Sequence, residues 1–290
     1  IFLFLFLDFI NCVPLLLLLS MKNFIKYIIP KALLKNYIYL KRKKELPEET
    51  GRLEKDIALY WGSSDKSEMI QSHSHWRGIG EWGEEKWMKA GQYHWTLIEN
   101  YLLKFDPDFL KELPQYQALE WGQGGGANMR LLCQHFDKCW GVDISSQNLD
   151  ECEKQMKALN FNNFHKVLFN SENPEEVKKH IPAKSLGLIL CTAVFQHFPS
   201  IDYGKRVLEV MKSLMQDQAY ALIQIRFDDG SAETRPNQSQ YFKNVLTFTS
   251  HPKGLFEKQL EEVGMKSIHQ EVDARFPKAR YEYHFIKNLP

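Results

Sequence analysis

The sequence predicts an α/β protein with a doubly wound, mostly parallel sheet of seven strands, the last of them antiparallel, behind an N-terminal helical extension. From residue 117 onward, short apolar runs alternate with stretches of helical periodicity, which is typical of parallel strands joined by right-handed crossovers. Near the end, only eight residues separate two apolar runs. A parallel crossover needs about a dozen residues or more, so the last strand is predicted to run antiparallel to its predecessor.

Each element of this prediction has its own segment. The predicted strands are 118–121, 139–143, 165–169, 186–191, 220–225, 266–272 and 281–287. The predicted helices between and after them are 127–136, 147–159, 174–180, 203–215 and 254–263.

Composition narrows the class of protein. The 290 residues are 44% hydrophobic and 25% charged, which is ordinary for a globular protein. A formal net charge of only +1 argues against a protein that coats nucleic-acid phosphates. The five cysteines form no CxxC pair and no zinc-like spacing, so free structural thiols in a reducing compartment are expected.

The first fifty residues are predicted to be additions to the main domain. Residues 1–20 are apolar but carry Asp8, Asn11 and Pro14, and three interpretations compete: a membrane anchor, a signal segment, or translation from upstream of a true start at Met21, which we favour. Residues 21–50 form a basic, amphipathic helical segment and a linker. That segment could rest on an anionic membrane surface or dock on the domain. We expect the catalytic part to be cytoplasmic.

Residues 51–116 are predicted to form an aromatic-rich cap. Five of the seven tryptophans lie between residues 60 and 95, and a helical pattern begins at about Glu84. These aromatic residues, with His94, could line a substrate pocket or could form a small satellite core. His94 is accordingly a candidate substrate residue.

A glycine loop lies between the first predicted strand and the helix that follows it. Gly122 and Gly124 let the backbone turn sharply and approach a ligand closely. Asp143, 21 residues after Gly122, ends the second predicted strand, where a carboxylate can accept hydrogen bonds from ribose hydroxyls. Glu120 precedes the loop, and its charge favours a cationic amino group over a pyrophosphate. The loop also fits a dinucleotide pattern, and its glycines could simply form a tight corner.

Residues 117–290 resemble the class I S-adenosylmethionine (SAM)-dependent methyltransferases, of the small-molecule type, in three motifs. These are the loop 120–126, the acidic motif 140–144 and the segment 190–199 after the fourth strand. The resemblance implies SAM as cofactor. It also implies cofactor contacts from Glu120, Gly122, Gly124, Asp143, Ile144 and Thr192, and an adenine contact from Asn170 or Glu172 in the stretch 170–172.

The chemistry expected of such a protein is an in-line methyl transfer to a small polar or saccharide acceptor, with oxygen as the methylated atom. His197 follows the fourth strand and is the candidate general base, although it could also be a packing residue. Arg226 and Asp228 leave the fifth strand at the same edge and could bind substrate. Residues 231–252 are predicted to form a lid, and no metal is expected.

Two other functions would use the same binding site at the ends of the strands: that of an NAD(P)-dependent oxidoreductase and that of a non-catalytic SAM-binding protein. No nucleic-acid partner is expected for any of the three.

Overall fold

The computed structural model describes residues 50–62, 67–236, 241–276 and 280–290. The residues in these ranges belong to one compact unit. The predictions for residues 1–20, and those for 21–50 apart from its last residue, lie outside the described residues. None of the helices in the described ranges is both long enough and apolar enough to cross a membrane.

One sheet forms the centre of the unit, in the order β3-β2-β1-β4-β5-β8-β7. The strands are β1 (Gln117–Trp121), β2 (Lys138–Asp143), β3 (Phe164–Leu168), β4 (Leu186–Cys191), β5 (Met215–Asp228), β6 (His251–Pro252), β7 (Met265–Val272) and β8 (Tyr281–Asn288). Strands β1 to β5 pair in parallel, and β8 runs antiparallel to both β5 and β7. The predicted α/β sheet with its antiparallel last strand is confirmed, and β6 is a two-residue addition beside β5.

Helices cover both faces of this sheet. They are α1 (Thr50–Trp61), α2 (Glu68–His73), α3 (Glu84–Phe105), α4 (Pro107–Glu112), α5 (Met129–His135), α6 (Ser146–Ala158), α7 (Ile201–Leu214), α8 (Tyr241–Asn244) and α9 (Leu255–Glu262). Short 3-10 turns add Leu113–Gln115, Pro174–Lys179, Phe195–His197 and Val245–Thr247.

The apolar run of β4 shows how the two faces are used. All six of its residues are buried, and alternate side chains enter different cores. Leu186 and Ile189 pack with α7 and α9, whereas Leu188 and Leu190 pack with α3 and α5. A strand covered on both faces needs this continuous hydrophobicity.

A third apolar cluster joins the start of the described chain to a segment almost two hundred residues later. Leu53, Ile57 and Tyr60 of α1 pack with Tyr241, Val245 and Phe248. Helix α1 begins at Thr50, the last residue of the segment 21–50 that was predicted to end in a linker. Helix α2 lies before Glu84, where the first helical pattern of the cap was expected.

Candidate functional site

An open cavity of about 890 Å³, measured with its mouth, lies where β1, β2 and β4 end at their carboxyl termini. The polar lining residues are His73, Ser74, His75, Glu120, Gln123, Asn128, Asp143, Asn148, Ser171, Thr192, His197 and Tyr203. The lining is otherwise formed by three residue types, namely glycines 122 and 124, aromatic residues (Trp61, Trp121, Phe169, Phe198) and aliphatic residues (Ile57, Ala127, Ile144, Ala193, Val194).

The glycine loop after β1 holds another part of the chain close to this cavity. Gly124 has a φ of +51°, and a Cβ there would lie 2.4 Å from the carbonyl oxygen of Ser74. A Cβ on Gly125 would lie 2.5 Å from the carbonyl oxygen of His75, and the Gly125 amide donates to Ser74 O at 2.7 Å. Both positions must therefore be glycine, because the segment that follows α2 packs against them. The sequence alone did not indicate this packing role.

Glu120, the second-last residue of β1, has one carboxylate oxygen without a hydrogen-bond partner. Its side chain is buried, and Oε1 accepts from Asn128 Nδ2 at 2.7 Å, whereas Oε2 has no hydrogen-bond partner. Burial raises the pKa of Glu120 to about 8; Asp143 adds to the rise, and the hydrogen bond from Asn128 opposes it. A buried acceptor of this kind favours a cationic group beside it.

Asp143, at the end of β2, lines the same cavity and is fixed by the start of α6. Its Oδ1 accepts from the Ser145 amide at 2.8 Å, and its Oδ2 accepts from Asn148 Nδ2 at 3.1 Å. Trp76 Nε1 donates to Asn148 Oδ1 at 3.0 Å. The segment after α2 is therefore tied to the carboxylate end of β2 as well as to the glycine loop. Ile144 follows Asp143 in the cavity wall.

The segment after β4 brings Thr192 and His197 to the cavity. Thr192 is buried, and its Oγ1 accepts from Asn128 Nδ2 at 3.2 Å. His197 Nδ1 lies 2.7 Å from the carbonyl oxygen of Val245, and its ring lies 4.8 Å from that of Trp61. Burial lowers the pKa of His197 to about 4. The imidazole is therefore neutral at pH 7, and an Nδ1 proton donated to Val245 leaves Nε2 unprotonated.

Two cavity histidines come from the segment at the end of α2. The Nδ1 atom of His73 lies 2.9 Å from the Tyr60 hydroxyl, and burial lowers the pKa of His73. His75 has a φ of +58°, and its ring centroid lies 4.0 Å from that of Trp82, with the two planes tilted by 35°. Burial lowers its pKa to about 3. The sequence carries one signal for His75, the local density of histidine and tryptophan, and His75 was not among the predicted site residues.

Four predicted site residues do not line the cavity. Asn170 is exposed, and its Oδ1 accepts from the Glu172 amide, so this side chain caps a turn while neighbouring Ser171 faces the cavity. The adenine contact of Asn170 therefore stays a prediction from the sequence. Glu172, the alternative, is also exposed and outside the lining.

The three predicted substrate residues have partners elsewhere in the protein. His94 is buried between Asn128 and Tyr283. Arg226 is fully buried and donates to Ser250 Oγ and to a backbone carbonyl. Asp228 accepts from the Gly230 amide in the turn after β5. None of the three side chains is among the residues that line the cavity, so their substrate roles stay predictions.

The comparison with protein families decides the class. Residues 119–221, from β1 into β5, match the family model described as a methyltransferase domain. This match and the fold support a methyltransferase domain of the class I SAM-dependent type. The match covers the loop after β1 and the ends of β2 and β4, which together form most of the cavity.

A curated relative and three solved structures are similar to this methyltransferase. The relative is the probable non-canonical nonribosomal peptide synthetase CymA of Salinispora arenicola, 26% identical over 116 residues, which are 40% of this chain and 1% of that protein. The chain therefore spans only a small part of that relative.

Among solved structures, a protein of Galdieria sulphuraria assigned as a sarcosine dimethylglycine methyltransferase has a TM-score of 0.51 at 12% identity, covering 67% of this chain and 86% of that one. A SAM-dependent methyltransferase of Aquifex aeolicus has a TM-score of 0.45 at 17% identity, with coverages of 65% and 92%. A SAM-dependent methyltransferase of Clostridium acetobutylicum has a TM-score of 0.46 at 14% identity, covering 69% of this chain and 99% of that one. At such identities the likeness concerns the fold alone.

The cavity residues fit the cofactor of this family. SAM carries an amino group, a ribose and an adenine, and the cavity offers the unpartnered oxygen of Glu120, the carboxylate of Asp143 and the apolar side chain of Ile144. Within the described residues, no group of three or more histidine, cysteine or acidic side chains is arranged to hold a metal. The four cysteines in the described ranges are free and buried.

Proposed function

We propose that this methyltransferase transfers a methyl group from SAM to a hydroxyl oxygen of a small polar or saccharide acceptor. The observation that carries the proposal is the neutral, half-buried His197 in the cavity wall, held by Val245 on one ring nitrogen. A hydroxyl nucleophile needs such a group, because its proton must leave as the new bond to carbon forms.

The cofactor would be held by the residues at the ends of β1, β2 and β4. The Glu120 carboxylate would accept from the amino group, and Asp143 would accept from both ribose hydroxyls. Ile144 would contact an adenine face, and Thr192 would flank the methionine part. Bound SAM supplies an electrophilic methyl group on a positively charged sulfur. Backbone amides of the glycine loop, Gly122 and Gly124 among them, would approach the methionine part.

The rest of the cavity suits an uncharged acceptor. Among its described lining residues there is no lysine or arginine, and the only carboxylates are Glu120 and Asp143. If both serve the cofactor, no charged side chain remains for the acceptor. His73, His75 and Tyr203 offer neutral hydrogen-bonding groups, beside aromatic surfaces such as Trp61. This combination favours a neutral hydroxylated molecule over an amine or a carboxylate.

His197 would accept the acceptor's proton through Nε2. The Nδ1 contact with Val245 orients the ring, and the Tyr241 hydroxyl donates to His197 O at 3.0 Å. Val245 and Tyr241 both belong to the predicted lid 231–252, which stays a proposal. Because the pKa of His197 is about 4, its unprotonated form persists down to about pH 5. As far as His197 is concerned, kcat is therefore expected not to change with pH above about 5.

The test is a transfer assay with labelled SAM and a panel of phenols, aliphatic alcohols, saccharides and amines. We expect hydroxyl acceptors to be methylated, and His197→Gln to lower kcat by about a hundredfold or more while the affinity for S-adenosylhomocysteine (SAH) changes less than about threefold. His180→Gln, at an exposed surface histidine, is the matched control and should retain full activity.

Three results would contradict the proposal. They are faster transfer to amines than to any hydroxyl, full activity in His197→Gln, and SAH binding without turnover on the whole panel, which would favour a non-catalytic SAM-binding protein.

The cytoplasmic location and a peripheral membrane contact through residues 22–44 stay predictions from the sequence.

A further inference from the structure

A buried polar cluster extends from the cavity toward the far edge of the sheet. It begins at Asn128, whose Nδ2 donates to Glu120 Oε1 and Thr192 Oγ1 and whose Oδ1 lies 2.8 Å from His94 Nδ1. His94 belongs to α3, and its Nε2 lies 2.9 Å from the hydroxyl of Tyr283 in β8. His94 is 9% exposed and Tyr283 is 1% exposed, so neither side chain has water as an easy alternative partner.

The hydrogen bonds around Tyr283 determine where its proton points. Gln224 Nε2, at 3.0 Å, and Arg275, at 2.6 Å, both donate to the Tyr283 oxygen and occupy its lone pairs. The single hydroxyl proton can then go to His94 Nε2 at 2.9 Å or to Asp273 Oδ2 at 3.2 Å. The Asp273 oxygen already accepts from Gln224 and Arg275, so the shorter contact to His94 is favoured.

The proton on Tyr283 in turn fixes the state of His94. An Nε2 that accepts from Tyr283 carries no proton, so the neutral ring carries its proton on Nδ1. That proton is donated to Asn128 Oδ1. The amide of Asn128 is thereby oriented with its nitrogen toward Glu120, because the reverse orientation would set two acceptors against each other.

The same cluster also holds the turn after β4. The Gln224 amide that donates to Tyr283 accepts through Oε1 from the Ala193 amide at 2.9 Å. Ala193 has a φ of +56° and follows Thr192 directly, so this contact stabilises an uncommon backbone conformation in the cavity wall. Two cavity features, the Glu120 carboxylate and the Thr192–Ala193 turn, therefore depend on one cluster.

We propose that His94 is a positioning residue for the amino-acid part of SAM. Held by Tyr283, it orients Asn128, and Asn128 holds Glu120 Oε1 so that the unpartnered Oε2 is presented to an amino group. His94 touches neither cofactor nor acceptor in this arrangement. The inference rests on the proposed binding of SAM in the cavity, and it assigns a role to a residue that is remote from the reacting atoms.

The test compares two ligands that differ only in the part recognised by Glu120. SAH carries the amino acid group, and 5′-methylthioadenosine lacks it. Titration calorimetry on the full chain should show that His94→Phe weakens SAH about tenfold, the loss of one oriented charge-assisted hydrogen bond, and changes methylthioadenosine less than about twofold. His94→Gln retains an N–H donor and should recover part of the loss.

A milder variant guards against a folding defect. Tyr283→Phe removes only the hydroxyl and should weaken SAH about threefold with the same selectivity between ligands. Tyr101→Phe is the matched control. Tyr101 is a buried tyrosine of α3 whose hydroxyl donates to Glu271 at 2.5 Å, away from the cavity, and its loss should change neither affinity.

Equal losses of SAH and methylthioadenosine affinity in the His94 and Tyr283 variants would overturn the inference, as would unchanged affinity for both ligands. A wild-type chain that binds no SAH would overturn SAM binding itself. A chain that binds SAH selectively but methylates no hydroxyl would contradict only the proposed acceptor and leave the role of His94 supported.

Discussion

Replacing Glu120 by glutamine tests how the cavity recognises a cationic ligand. In the free protein, burial raises the pKa of Glu120 to about 8. The carboxyl group is therefore protonated in about nine of ten molecules at pH 7. An ammonium group beside Oε2 favours the ionised form, so binding must release close to one proton from the protein.

The size of the effect follows from that pKa. Ionising Glu120 at pH 7 costs about 1.4 kcal/mol, and the cost rises by the same amount for each pH unit below. Since the ionised form binds better, the affinity of the wild type for SAH should rise about tenfold between pH 6 and pH 7. His75, His94 and His197 have pKa values of about 4 or below, so these histidines do not titrate in this range.

Titration calorimetry in buffers with different ionisation enthalpies measures the proton count directly. We expect the wild type to release about 0.9 proton per SAH at pH 7 and none with methylthioadenosine, which lacks the amino group. Glu120→Gln should release none with either ligand and should bind SAH with an affinity that does not vary from pH 6 to pH 7. An equal proton release in wild type and variant would refute the reasoning, as would a wild-type affinity independent of pH.

Three further variants test other parts of the structure. Gly125→Ala places a Cβ 2.5 Å from a backbone carbonyl and should lower the free energy of unfolding by about 2 kcal/mol in urea, whereas Gly83→Ala, with open space around it, should not; equal stability of the two would contradict the close packing. Asp143→Asn should weaken SAH and methylthioadenosine by the same factor, about tenfold or more, in calorimetry, because both carry a ribose; selective loss of SAH would contradict this. Tyr241→Phe removes the donor to His197 O and should lower kcat about tenfold with SAH affinity unchanged; an unaltered kcat would contradict a positioning role.

The sheet could be predicted from the sequence because its signals are local. The apolar run of β4 and the glycines after β1 mark their elements without help from distant residues. The antiparallel end followed from the short link between the last two strands, since chain length alone forbids a crossover. Strand β5 was predicted too short, because its ends, near Met215 and Asp228, are polar in part and are extended by pairing with neighbouring strands.

The cap and the far part of the site depend on long-range contacts that no local pattern records. Helix α1 buries its apolar side against residues 241–248. His75 reaches the cavity only because Gly125 admits its backbone. The sequence offers His94 as a candidate substrate residue, whereas we propose that it positions the cofactor site through Asn128. Its partners Asn128 and Tyr283 come from distant segments of the chain.

The central claim is that the ends of β1, β2 and β4 bind the nucleoside and amino-acid parts of SAM together. Calorimetric titration of the full chain with SAH, methylthioadenosine and NADH tests it most directly. We expect one SAH per chain, weaker binding of methylthioadenosine, and no competition by NADH. NADH binding that excludes SAH, or the absence of any heat with SAH, would contradict it.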